Sequence, residues 1–275
     1  MSKSTLDFMF KPESVAVIGA SIRPRSVGAT VMRNLLAGGF AGPIMPVNPK
    51  YRAVAGVLAY PDVAHLPETP DLAIICTPPP TVPCLIGELG ARGVKAAVVL
   101  TAGLERETDA QGNTLQAAMV AAAQPFGLRL LGPNCVGLMI PPLGLNASFA
   151  HTSPLPGHIA FITQSGALAV AVLDWANSNG IGFSAFVSLG NNVDVDFGDV
   201  LDYLGRDPET HAILLYIESI RDAHKFMAAA RTAAGKKPLI AVKAGRVSEG
   251  AQAAYSHTGA LAVARFGVER RPQRP

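Results

Sequence analysis

A chain of 275 residues that is 49% hydrophobic and 16% charged has ample apolar material for two cores, which excludes a disordered or fibrous protein. Its net charge is +3, and no basic run exceeds Lys236-Lys237 or Arg270-Arg271, so an electrostatic footprint for nucleic acid is not expected. Three scattered cysteines, Cys76, Cys84 and Cys135, lack CxxC spacing; they argue against a disulfide framework or zinc site and for a reducing cytoplasm.

Met1 to Phe10 carries one lysine and no long apolar run, so neither a signal peptide nor a membrane span is expected there. Beyond it, short apolar runs alternate with segments of helical period, the pattern of strand–helix units around a parallel sheet. The first half predicts strands at Ser14 to Ile18, Pro43 to Val47, Leu72 to Cys76, Ala96 to Leu100 and Arg129 to Leu131. Helices are predicted at Val27 to Ala37, Thr81 to Arg92 and near Thr114 to Ala123. From Pro141-Pro142 to Gly157, proline and glycine predict an irregular connection and a domain boundary at 150/151. The second half predicts strands at His158 to Thr163, Phe183 to Leu189, Ala212 to Glu218 and Pro238 to Val242. Helices at Gly166 to Ser178, Phe197 to Gly205 and Ala223 to Ala233 separate them, giving a smaller α/β unit.

The first candidate site follows the first strand, where Gly19-Ala20-Ser21 leads through a loop to Ser26-Val27-Gly28 at the start of a helix. A strand, a glycine turn and a helix N-terminus present backbone N–H groups and a favourable dipole to a phosphate. The spacing from Gly19 to Gly28 is too long for GxGxxG. The next strand ends in Asn48-Pro49-Lys50, without the acid that would hold ribose hydroxyls in a nicotinamide site. An oxidoreductase is therefore disfavoured, and Lys50 suits a ligand with an extra phosphate, such as coenzyme A. The same glycines would also serve a tight turn and close helix packing. Thr77-Pro78, Thr101-Ala102 and Asn134 follow later strands at their carboxyl ends, where open α/β sheets bind ligands. Asn134 suits a thioester or pantetheine group, or the cap of a turn; Cys135, with no basic partner nearby, reads as a small buried residue.

In the second half, Gln164-Ser165-Gly166 joins a strand to a helix and suits a phosphoryl group, with Ser165 also an N-cap. The glycine that GxSxG requires two residues before the serine is absent, which excludes a hydrolase elbow. Asp194, Asp196 and Asp199 read as first-turn acids of a helix rather than magnesium ligands, and no metal site is expected on the chain. Glu218 ends an apolar strand, and His257 sits in the small-residue loop Ser256-His257-Thr258-Gly259. An imidazole so placed can act as a nucleophile for a phosphoryl group, and a carboxylate on one ring nitrogen would leave the other free for attack.

Taken in order, Gly19-Ala20-Ser21, Ser26-Val27-Gly28, Asn48-Pro49, Gly132-Pro133-Asn134-Cys135, Gln164-Ser165-Gly166, Glu218-Ser219 and Ser256-His257-Thr258-Gly259 resemble the NDP-forming acyl-CoA synthetases, the superfamily that includes the succinyl-CoA synthetase α subunit. The resemblance runs from about Ser14 to Leu261. It implies a Rossmann-like CoA-binding domain over 1–150 and a flavodoxin-like phosphohistidine domain over 151–275, cut short at its C-terminus with its last residues disordered. It makes His257 the phosphorylated residue, oriented by Glu218, with the phosphate held by Gln164, Ser165 and Gly166. CoA would lie against Gly19, Ala20, Ser21, Ser26, Val27, Gly28, Asn48, Pro49, Lys50, Thr77, Pro78, Thr101, Ala102 and Asn134. The implied reaction joins a carboxylic acid and CoA at the expense of ATP, through an acyl phosphate and phospho-His257. ATP and Mg²⁺ would sit on an ATP-grasp domain or β subunit not found in this sequence, and the resemblance also admits a homo-oligomer. The alternative is a non-catalytic CoA or acyl-CoA sensor, such as the synthetase-like region of a protein acetyltransferase.

Overall fold

A computed structural model describes residues 4–244. A short helix α1 (Asp7–Phe10) leads into β1 (Val15–Ile18), α2 (Val27–Gly38), β2 (Ile44–Val47) and a small hairpin, β3 (Ala53–Val54) and β4 (Val57–Leu58). Then follow β5 (Leu72–Ile75), α3 (Val82–Ala91), β6 (Ala96–Val99), α4 (Leu115–Ala123) and β7 (Arg129–Leu131). The five-stranded sheet has the order β2-β1-β5-β6-β7 and is parallel throughout. β1, β5 and β6 are buried at every position, as a sheet covered on both faces requires. Alternate residues go to opposite sides: Ala16, Ile18, Ala73 and Ile75 pack with α3 and α4, whereas Val15, Val17, Leu72 and Ile74 pack with α2.

The second sheet is built from β8 (Gly137–Ile140), β9 (Leu145–Ser148), β10 (Leu155–Thr163), α5 (Gly166–Ser178), β11 (Gly182–Ser188), α6 (Phe197–Leu204), β12 (Ala212–Ile217), α7 (Ala223–Ala234) and β13 (Leu239–Lys243). Its order is β13-β12-β10-β11-β8-β9; β13, β12, β10 and β11 are parallel, and β8 is antiparallel to both β11 and β9.

This differs from the irregular connection predicted between Pro141 and Gly157. Leu145–Ser148 is a strand, and β10 begins at Leu155 rather than His158. β8 and β9 are buried at every position, so neither carries the polar alternation that marks a strand in sequence. Pro156 is accommodated because β10 is irregular there, its register against β11 shifting between Pro156 and Ile159. The chain thus enters the second sheet at Gly137. We retain 150/151 as a proposed division, with the β8–β9 hairpin an arm of the first segment built into the second sheet.

The two sheets are joined by side chains as well. Asn34 on α2 donates from Nδ2 to the carbonyls of Ser148 and Ala150, at 2.9 and 2.8 Å. Arg129 on β7 donates from Nε to both Asp194 oxygens at 3.0 and 3.1 Å and from Nη2 to Asp199 at 3.2 Å. Asp196 and Asp199 form a capping box at the start of α6, and Asp199 also accepts from Lys225 Nζ at 2.6 Å. The acidic stretch is thereby engaged in a helix cap and ion pairs. Burial opposes the Asp199 charge, but Lys225, the Asp196 N–H and Arg129 outweigh it and hold the carboxyl below its ordinary value.

Because the folded pKa lies below the unfolded one, Asp199 stabilises the protein above the ordinary carboxylate range. That contribution is lost as pH falls through the folded value. Arg129→Met is expected to cost about 2–3 kcal/mol at pH 7, somewhat less than a fully buried pair because Arg129 is partly exposed. The cost should shrink at pH 3. Urea unfolding at both pH values checks this, and an equal cost at the two would remove the ion-pair explanation.

Candidate functional site

Residues just past the carboxyl ends of β5, β6, β7, β10, β11 and β12 line a single cavity of about 1260 Å³. Both sheets have a switch point here. The chain goes from β1 to β2 on one side and then crosses to β5 on the other; likewise it goes from β10 to β11 and then to β12. A crevice opens at such points because successive connections leave on opposite faces.

On the first sheet, Gly19 has φ +87° and lies so close to β5 that an added Cβ would be 2.9 Å from Thr77 Cγ2. A Cβ on Gly28 would overlap the Gly19 carbonyl oxygen, so α2 starts directly against the end of β1. Ser26 caps α2, accepting from the Ala29 N–H at 3.4 Å and donating to the Arg23 carbonyl at 2.8 Å. The Ser21 hydroxyl accepts from the Arg23 N–H at 3.0 Å. Asn48 donates to the Ala20 carbonyl at 2.7 Å and accepts from the Lys50 N–H at 2.9 Å, buttressing the turn from β2. Thr101 Oγ1 donates to the Thr77 carbonyl at 2.7 Å, while Thr77 Oγ1 is buried with no hydrogen-bond partner among the described residues. Asn134 has φ +57° and donates from Nδ2 to Asn191 Oδ1 at 3.2 Å.

On the second sheet, Ser165 caps α5 by accepting from the Leu168 N–H at 3.3 Å. Its own N–H donates to Thr163 Oγ1 at 3.0 Å. Gln164 Oε1 accepts from the N–H groups of both Glu218 and Ser219, at 2.8 and 2.9 Å, and its Nε2 donates to Ser219 Oγ at 3.3 Å. Glu218 is half-buried on the cavity wall, and Lys243 Nζ donates to its main-chain carbonyl at 2.8 Å. Burial pushes the Lys243 pKa down, and the Glu218 charge partly offsets it. His257 lies outside the described residues.

Residues 13–141 match the family model of a CoA binding domain, and residues 156–269 that of a succinyl-CoA ligase like flavodoxin domain. The chain belongs to the NDP-forming acyl-CoA synthetase superfamily. It is 45% identical over 257 residues to acetate–CoA ligase [ADP-forming] I of Archaeoglobus fulgidus, covering 94% of this chain and 37% of that protein. It is 41% identical to the α subunit of acetate–CoA ligase [ADP-forming] I of Pyrococcus furiosus, again over 94% of this chain and 56% of the relative. The solved structure of the dinucleotide-forming acetyl-coenzyme A synthetase 1 of Ca. Korarchaeum cryptofilum, in complex with phosphate and ADP, superposes with a TM-score of 0.88 at 39% identity. That match covers 94% of this chain and 56% of the other. The chain thus spans between a third and three-fifths of the length of these relatives.

The two α/β units are therefore the Rossmann-like and flavodoxin-like pair of this synthetase superfamily. Of the residues singled out from sequence, Val27, Thr77, Pro78, Thr101, Ala102, Asn134, Gln164, Ser165, Gly166 and Glu218 line the common cavity. Gly19, Ala20, Ser21, Ser26 and Gly28 build the turn beside it. Asn48, Pro49 and Lys50 line a separate surface hollow of about 220 Å³ with Tyr51 and Arg52. The local alternatives describe Gly19, Gly28 and Ser165, which make a tight turn, close helix packing and a helix cap, whereas the Asn134 side chain reaches across to Asn191 instead of capping a turn.

Cys135 donates to the Val99 carbonyl at 3.4 Å, and burial pushes its thiol up to about 12; Cys76 is raised by burial and by Cys135. Both thiols are neutral at physiological pH, although both line the cavity. The sequence reading missed Arg23, Arg106 and Asn191 on the cavity wall. Arg23 carried a signal, a cation within the loop from Gly19 to Gly28. Asn191 carried none, because its partners Gln116 and Asn134 belong to other elements.

Among the described residues no helix is long and apolar enough to cross a membrane.

Proposed function

We propose that the chain is the CoA-binding and phosphohistidine portion of an ADP-forming acid–CoA ligase. The observation that carries this reading is the single cavity into which the helix starts of both sheets and Glu218 converge. The orphaned Thr77 hydroxyl and the close β1–α2 packing at Gly19 and Gly28 fit a phosphate-bearing ligand drawn close to the main chain. CoA would be held by the turn from Gly19 to Gly28 and by Thr77, Pro78, Thr101, Ala102 and Asn134, with Asn48, Pro49 and Lys50 supporting its phosphates. Its thiol would reach the second sheet, where Ser165 and Gly166 at the start of α5 receive the phosphoryl group.

In the direction of acyl-CoA breakdown, a phosphate oxygen attacks the thioester carbon and the CoA thiolate leaves, taking a proton. His257, oriented by Glu218, then attacks phosphorus, the bond to the acyl oxygen breaks, and the carboxylic acid departs as its anion. Synthesis is the reverse. Positioning and charge stabilisation supply most of the catalysis in such transfers. The substrate is a carboxylic acid; several relatives are named for acetate, and others for 4-hydroxybutyrate and for feruloyl-CoA. An ATP-grasp domain or β subunit would carry ATP and Mg²⁺, and the free thiols suit a reducing cytoplasm.

The half-reaction needs no nucleotide partner. The 275-residue chain mixed with acetyl-CoA and labelled inorganic phosphate is expected to release CoA and acquire acid-labile label. CoA binding without either event would instead indicate an acyl-CoA-sensing module. Calorimetry provides a separate check on the first domain: CoA is expected to bind at least about tenfold more tightly than NAD, since no acid follows β2 to hold ribose hydroxyls. Tighter binding of NAD would overturn the choice of ligand.

A further inference from the structure

The side chain of Gln164 makes three hydrogen bonds at the switch point of the second sheet, two at Oε1 and one from Nε2. β10 and β12 are hydrogen-bonded neighbours, with Thr163 paired to Tyr216, and the next residues diverge as the chain leaves for α5 and α7. Across that divergence Gln164 Oε1 accepts from two successive main-chain N–H groups, those of Glu218 and Ser219, while Nε2 donates to the Ser219 hydroxyl. Two adjacent N–H groups converging on one oxygen make a small concavity suited to an anion. Here a neutral carboxamide fills it, leaving those donors unavailable to phosphate. From below, Lys243 Nζ holds the Glu218 carbonyl at 2.8 Å. The Glu218 main chain is thus fixed on both its N–H and C=O sides by groups from the two neighbouring strands.

We propose that Gln164 is a positioning residue: it sets the placement of Glu218 and does not itself hold the phosphoryl group. The inference rests on the reading above, in which Glu218 orients His257. It departs from the expectation drawn from the family resemblance, which put Gln164 on the phosphate with Ser165 and Gly166, and leaves those two as the phosphate-facing residues. Its chemistry is specific to an acceptor oxygen at this position. Leucine fills similar space but leaves both N–H groups unpaired, whereas glutamate keeps the acceptor and adds a charge that a directly bound phosphate would oppose.

The test uses the 275-residue chain with acetyl-CoA and either labelled phosphate or arsenate. With arsenate, the thioester is cleaved to an acyl arsenate that hydrolyses, so CoA release reports the first step without His257. Gln164→Leu is expected to slow label transfer to the histidine about tenfold, with arsenate-dependent CoA release changed less than about twofold. Gln164→Glu should recover most of the transfer. In a Glu218→Gln background, Gln164→Leu should cost less than about a further twofold, because the carboxylate it positions is already gone.

A raised KM for phosphate together with slower arsenolysis, worst in Gln164→Glu, would overturn the inference in favour of direct phosphate contact. Full additivity with Glu218→Gln would overturn it as well. Amide hydrogen exchange separates this outcome from failure of the proposed function. The Glu218 and Ser219 amides should exchange about tenfold faster in Gln164→Leu whether or not the chain turns over. Unchanged exchange removes the clamp, and a wild type that is inert but shows this protection removes the ligase reading alone.

Discussion

Chain carrying His257→Ala is expected to bind CoA as the wild type does and to take up no acid-labile phosphate from acetyl-CoA and phosphate. The nucleophile would be gone while the cavity wall from Thr77 to Asn134, which belongs to the first sheet, is untouched. Glu218→Gln should be less severe, slowing transfer by about a hundredfold or more, because an amide can hold the ring by a hydrogen bond but cannot stabilise the charge that develops on it. The ratio of the two effects is informative. If both variants lost only a few-fold, the label would reside elsewhere on the chain, and the histidine mechanism would be wrong. The label's stability in base and lability in acid distinguishes phosphohistidine from a phosphoserine at Ser165.

The second large effect concerns stability. Gly28→Val is expected to cost about 3 kcal/mol or more and to weaken CoA binding along with it. Its first added carbon would overlap the carbonyl oxygen of Gly19, part of the backbone itself, and neither β1 nor α2 can retreat without opening the core around Val31 and Leu35. A matched control exists in Gly87→Ala on α3, where an added Cβ meets nothing within 4 Å. That change should be neutral or stabilise by up to about 1 kcal/mol, since alanine loses less freedom on entering a helix. Urea midpoints for the two variants check the pair. Equal and small changes in both would show that α2 is not tightly seated against β1.

Gly19 and Gly28 stood out because a strand, a turn and a helix start were each recognisable from a few adjacent residues. Ser165 stood out in the same way, and its role as a cap is local, made with the Leu168 N–H three residues on. Gln164 shows the limit. Its neighbours in sequence suggested a phosphate, yet its side chain turns to residues more than fifty positions away. The Asp194 to Asp199 stretch lies between these cases: the cap at Asp196 is local and was legible, while the partner Arg129 was not.

What the sequence by itself determined is the α/β alternation, most strand and helix positions, the glycine turns and the ordered motifs of the synthetase superfamily. All of these depend on periodicity or on contacts within a few residues. Only the tertiary structure decided that β8 and β9 complete the second sheet, that Arg23, Arg106 and Asn191 join the cavity wall, and that Gln164 holds the chain at Glu218. Two physical reasons account for these. A strand buried on both faces shows no alternation, and a polar side chain can satisfy its hydrogen bonds with any partner the fold brings within about 3 Å, so its partner is chosen by the packing of distant segments.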